Sequence, residues 1–160
     1  MSNVYPLFQL GMDLEAVSST AHEEVAGAAG TLEALQRKDY FIERDGVRCA
    51  GTHLIIDLWD AERLDDLPYI EETLRACVEA AGATLLHIHL HHFTPNMGVS
   101  GVAVLAESHI SIHTWPENGY AALDVFMCGA AQPHETVEVL RQAFLPARVA
   151  VSEHLRGQMP

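Results

Sequence analysis

Three groups of residues in this chain have the types and spacing to react. The densest is the stretch Ala106 to Gly129, AESHISIHTWPENGYAALDVFMCG, which holds Glu107, Ser108, His109, His113, Glu117 and Cys128. Within it, Glu107-Ser108 offers chain cleavage without a protease. A serine hydroxyl attacks the carbonyl carbon of the peptide bond before it, and an N-to-O acyl shift turns that bond into an ester. Loss of the serine α-proton expels the Glu107 carboxylate and leaves dehydroalanine, which hydrolyses to a pyruvoyl group at the new N-terminus. This chemistry needs a strained turn, a donor for the oxyanion and a base near Cα. Spacing alone does not separate such a serine from an ordinary strand serine.

The second group is Cys128 with His113. A thiolate beside a histidine suits acyl transfer, although the chain carries no thiol-protease signature. The third is the run Thr84 to Phe93, with His87, His89, His91 and His92. Strand alternation sets His87, His89 and His91 on one face, as a zinc site would require. No carboxylate or cysteine at short spacing completes a ligand set, so no metal is expected. The alternative for that face is solvent or a subunit interface.

These residues need elements to hold them. His53 to Trp59 (HLIIDLW) has the composition of a strand. Asp65-Asp66-Leu67-Pro68 starts a helix, with acidic caps and a first-turn proline. Ile70, Leu74, Cys77, Val78 and Ala81 continue it at helical spacing, and Gly82 stops it. Thr84 to Phe93 is a second strand, Thr94 to Ser100 a loop, and Gly101 to Ala106 a third strand. Ile110 to Trp115 and Tyr120 to Cys128 form a hairpin about the turn Pro116-Glu117-Asn118-Gly119. Pro133 opens a second helix with Val137, Leu140 and Phe144 on one face, and Arg148 to Ser152 closes the sheet. The order β-α-β-β-β-β-α-β predicts an α/β (α+β) two-layer sandwich, a mainly antiparallel sheet with helices on one face. The other face must be covered, and a homodimer packed sheet to sheet would cover it. Strict alternation puts Ser108 and His113 on opposite faces, so sharing a site requires a bend or bulge between them.

Residues 1–50 are harder to read. Phe8 to Val17 is weakly apolar, Ser18 to Gly30 has loop composition, Leu32 to Leu35 suits a helical turn, and Glu43-Arg44-Asp45-Gly46 is a turn signal. This segment is expected to be an extension, with the principal domain spanning 51–160. Cys49 reads as part of a polar linker and Cys77 as core.

Composition excludes several classes. The 160 residues are 49% hydrophobic, enough for one core, with no apolar run long enough to span a membrane and no signal-peptide pattern at the start. A formal charge of -13 with nine Lys plus Arg argues against nucleic acid. Three well-separated cysteines do not make a disulfide framework, which fits a cytoplasmic protein.

The segment ESHISIHTWPENGYAALDVFMCG closely resembles the self-cleavage and catalytic segment of the small prokaryotic S-adenosylmethionine decarboxylases. HLIIDLW and FTPNMGVSGVAVLAESH resemble the preceding part of that family, so the likeness covers roughly residues 51–154. It implies cleavage between Glu107 and Ser108, with Ser108 becoming the pyruvoyl group that holds the substrate amine through a Schiff base. It implies that His113 removes the α-proton in processing, that Ser100 assists the acyl shift, and that Cys128 protonates the product after carbon dioxide leaves. Glu117 is expected on the ribose hydroxyls and Phe93 against adenine, with the sulfonium close to π-faces. The resemblance also implies dimers with sites at the interface, each containing both cleaved chains. The rivals are a pyruvoyl-dependent decarboxylase of arginine or ornithine, and an uncleaved homologue that binds or regulates an active partner.

Overall fold

The structure is a computed structural model, and it describes residues 40–159 other than 45, 95 and 96. The readings made for Phe8–Val17, Ser18–Gly30 and Leu32–Leu35 lie outside the described residues. The elements are β1 (Ile42–Arg44), β2 (Val47–Cys49), β3 (Gly51–Trp59), α1 (Leu67–Ala80), β4 (Leu85–His92), β5 (Val99–Leu105), β6 (Ser108–Trp115), β7 (Tyr120–Met127), α2 (Glu135–Phe144) and β8 (Arg148–Arg156). A single 3-10 turn, Pro116–Asn118, joins β6 to β7.

The strand pattern dictates the layers. In β3, Leu54, Ile56 and Leu58 alternate with His53, Ile55 and Asp57, and only the first set is fully buried. The same alternation buries Ile110 and Ile112 of β6 and Leu123 and Val125 of β7. These side chains meet Ile70, Leu74, Cys77 and Val78 of α1 and Leu140 and Phe144 of α2 in one core. Burial of such apolar faces is the main stabilising term, about 1.5–3 kcal/mol for each large side chain. Cys77 is sealed in this core, and burial pushes its thiol up to about 12.

Strands β4-β5-β6-β7-β3-β8 form one six-stranded sheet, and β1-β2 form a separate hairpin. Every pairing is antiparallel. The closing strand β8 pairs along the whole of β3, which makes β4 and β8 the edges. The expected two-layer α/β sandwich is therefore the observed one.

Helix α1 begins where its sequence says it should. The Asp66 carboxylate caps it by accepting the Tyr69 N–H at 3.2 Å, an arrangement worth about 1 kcal/mol. The Arg63 guanidinium beside it, with the Tyr69 N–H, holds that carboxyl below its ordinary range. Gly82, at φ +67, ends the helix in the left-handed region.

Three regions differ from their sequence reading: Val99 and Ser100 belong to β5 instead of the preceding loop, β8 runs on from Ser152 to Arg156, and the segment before β3 is paired. Residues 42–49 are a hairpin, not a linker, and Cys49 at the end of β2 is fully buried. Strands of three residues are too short for alternation to register in the sequence. Among the described residues, no helix is long and apolar enough to cross a membrane.

Candidate active site

The bond between Glu107 and Ser108 sits at the tightest point of the β5–β6 connection. Leu105 pairs with Ser108, so only Ala106 and Glu107 remain to turn the chain. Two-residue hairpin loops demand positive φ, which glycine, asparagine and aspartate tolerate best. Glu107 nevertheless adopts φ +58. A non-glycine residue in that region stores on the order of 1 kcal/mol of strain, here beside the Glu107–Ser108 bond.

The β6–β7 register, with His109 opposite Phe126, extends to bring Cys128 opposite Glu107. The Cys128 N–H donates to Ser108 Oγ at 3.3 Å. The Cys128 thiol donates to the Glu107 carbonyl oxygen at 3.3 Å and lies 3.8 Å from Ser108 Oγ. Ser108 itself is only 9% exposed. The turn, the hydroxyl and a donor to the Glu107 carbonyl thus occur together.

A second cluster forms at the other end of the same strands. Ser100 pairs with His113, and Ser100 Oγ meets His113 Nδ1 at 2.9 Å. Beside them is a cavity of about 310 Å³ lined by Phe93, Met97, Ser100, Thr114, Trp115 and Glu117. Its floor is rigid. Thr114 Oγ1 accepts the Val99 N–H at 2.7 Å and donates to the Leu64 carbonyl at 2.6 Å. Gly98 passes so close that a Cβ there would lie 1.8 Å from the Thr114 carbonyl oxygen. Each lining aromatic is backed by a ring outside the cavity, Phe93 by His91 at 4.7 Å and Trp115 by Tyr120 at 5.3 Å between ring centres.

The candidate residues therefore fall into two sets. Glu107, Ser108 and Cys128 are together, and Phe93, Ser100, His113 and Glu117 are together. The sets are five residues apart along β6, about 17 Å at roughly 3.3 Å per residue. Ser108 is on the buried side of β6 and His113 on the exposed side. No register shift interrupts β5–β6 or β6–β7. The bend or bulge expected to unite Ser108 with His113 does not occur, and Cys128 is not paired with His113 within one chain. Trp115 and Met97 were missed as cavity residues. The signal for Trp115 was its outward position in the same alternation as His113.

The open face of the sheet is polar at its centre. Asp124 accepts from Ser111 Oγ at 3.0 Å and lies 3.4 Å from His53 Nε2, an ion-pair distance without a hydrogen bond. Arg156 donates to His53 Nδ1 at 3.0 Å. Burial, then the neighbouring His53, pushes the His109 imidazole below its ordinary pKa, with Asp124 opposing. The Tyr120 hydroxyl donates to Asp57 at 2.5 Å and is pushed up to about 12. His87, His89 and His91 lie exposed on this face of β4. Among the described residues, no three His, Cys, Asp or Glu side chains gather to hold a metal ion.

Comparison with known proteins adds the relatives. The sequence profile of the family described as S-adenosylmethionine decarboxylase matches residues 52–157. The chain is 45% identical over 114 residues to the S-adenosylmethionine decarboxylase proenzyme of Thermomicrobium roseum, covering 71% of this chain and 98% of that one. It is 51% identical over 110 residues to the proenzyme of the same name from Methanococcus maripaludis, covering 67% and 89%. The crystal structure of the adenosylmethionine decarboxylase from Aquifex aeolicus is similar with a TM-score of 0.63 and 34% identity, over 70% of this chain and 94% of that one.

Proposed function

The chain belongs to the S-adenosylmethionine decarboxylase family, and from that membership we propose that it is a self-cleaving, pyruvoyl-dependent decarboxylase. Its substrate is S-adenosylmethionine and its product is the aminopropyl donor of polyamine synthesis. The observation that carries this reading is the Glu107–Ser108 turn, strained at φ +58 with the Cys128 thiol 3.3 Å from its carbonyl oxygen.

Ser108 Oγ attacks the Glu107 carbonyl carbon, and negative charge grows on the carbonyl oxygen. The Cys128 thiol donates to that oxygen, where a positioned donor counts most. The acyl group passes to Ser108 Oγ, a base removes the Ser108 α-proton, and the Glu107 carboxylate departs. Hydrolysis releases ammonia and leaves a ketone at residue 108. A pyruvoyl group formed there supplies an electron sink for the pair left behind when carbon dioxide departs. Cys128, already beside residue 108, then holds the proton that the product carbon needs.

The base is His113, held by Ser100. It cannot reach Ser108 of its own chain, being about 17 Å along the strand and on the other face. A sheet-to-sheet homodimer removes the separation along the strand. It sets the Ser108–Cys128 end of one chain against the partner's Ser100–His113 end, and it covers the open face. The cavity beside the partner's His113 then receives the nucleoside. Phe93 and Trp115 offer π-faces to adenine and the sulfonium, and Glu117 accepts from the ribose hydroxyls. We assign this activity to residues 51–160, with 1–50 as an extension.

Mass spectrometry of the purified protein tests the reading. Wild type should split into residues 1–107 and 108–160 and release carbon dioxide from S-adenosylmethionine but not from arginine or ornithine. Ser108→Ala should stay one chain and be inactive. An intact yet active wild type would overturn the proposal.

A further inference from the structure

The β1–β2 hairpin precedes residue 52, where the match to the family profile begins. Tyr40, two residues before β1, nevertheless holds the chain at the residue after Cys128. The Gly129 N–H donates to the Tyr40 carbonyl at 3.0 Å. Gly129 sits at φ +61, and a Cβ there would lie 3.3 Å from the Tyr40 ring. The hairpin is in turn fastened to the sheet. Arg44 Nη1 donates to Thr52 Oγ1 at 3.1 Å and to Glu153 Oε1 at 3.0 Å. The other Glu153 oxygen meets His134 Nε2 at 3.1 Å. Residues 129 and 134, the two ends of the loop that follows Cys128, are therefore both tied to residues 40–49, one through Tyr40 and one through Glu153 and Arg44.

We propose that residues 40–49 form a strap that positions the Cys128 thiol over the Glu107–Ser108 bond, with Arg44 as its fastening. Arg44 is a positioning residue, since it touches none of the reacting atoms. The proposal rests on the self-cleavage reading above. The thiol is a weak donor, and its 3.3 Å contact with the Glu107 oxygen depends on where its loop holds it. The strap limits the drift of that loop. The Arg44–Glu153 pair is partly exposed, and such pairs contribute little to global stability. Arg44→Met should therefore fold, and its effect should be local.

The test has two readouts. The first is amide hydrogen exchange at Gly129 in Ser108→Ala chains, which cannot cleave. Adding Arg44→Met should raise exchange by roughly an order of magnitude, while Arg44→Lys restores part of the protection. The second is the self-cleavage rate of chains that retain Ser108. Arg44→Met should slow it by roughly tenfold, because misplacing a reacting group is costly. In a Cys128→Ala background the same substitution should slow nothing further, since the strap acts through the thiol. Unchanged Gly129 exchange, wild-type cleavage by Arg44→Met, or an equal slowing in the Cys128→Ala background would each overturn the strap and leave the proposed function standing. A wild-type chain that never cleaves would overturn both.

Discussion

A thiol 3.3 Å from a carbonyl oxygen and 3.8 Å from a serine hydroxyl can serve two steps from one position. Cys128→Ala should therefore slow self-cleavage as well as turnover, by roughly tenfold for the first if the thiol is a weak member of its donor class. Time courses of chain splitting on gels would measure it, and cleavage at the wild-type rate would confine the thiol to the later step. His109 gives a second prediction at this scale. Its folded pKa is depressed, so the unfolded chain binds the extra proton first as pH falls. The stability contribution is complete above the ordinary histidine range, near pH 6.5, and is lost as pH falls below it. Melting temperature measured from pH 8 to pH 5 should drop in wild type and drop less in His109→Gln. Equal drops would remove His109 as a source of acid sensitivity.

The elements predict where glycine matters. A Cβ at Gly98 would meet the Thr114 backbone at 1.8 Å, whereas at Gly82 it would meet nothing within 4 Å. Gly98→Ala should destabilise by about 3 kcal/mol, the upper range for overpacking. Gly82→Ala should cost only its left-handed strain, about 1 kcal/mol. Urea midpoints of the two variants decide it, and equal costs would mean the Thr114 floor is soft. The same elements show what was legible in the sequence. Strands β3 to β7 and both helices follow from alternation, caps and turn residues, because each packs a face long enough to show a period, whereas β8 buries no residue and was read only as far as Ser152 of its run to Arg156. Of the β1–β2 hairpin only the turn residues were legible, because it is fastened by Arg44 and by backbone groups, which leave no apolar pattern. The site residues were identified by resemblance, yet their division into two clusters was visible only as the parity conflict between Ser108 and His113. Alternation gives the face of a residue, and a partner chain leaves no mark on it.

For the whole molecule, the separation of Ser108 from His113 predicts complementation. A His113→Ala chain should not cleave by itself, and neither should Ser108→Ala. In a mixed dimer, the His113→Ala chain keeps Ser108 and meets an intact His113 on its partner. Co-expressed with Ser108→Ala, it should recover cleavage in roughly the fraction of mixed pairs, with the cut confined to the His113→Ala chain. Tagged chains separated by mass would show this, and failure of any cut would place the processing base within the same subunit. The arrangement also sets a clock. If each chain must borrow its base from another, newly made protein matures at a rate that rises with the square of its concentration until pairing is complete. Scarce polypeptide would then remain dormant, and abundance itself would be the trigger for activation.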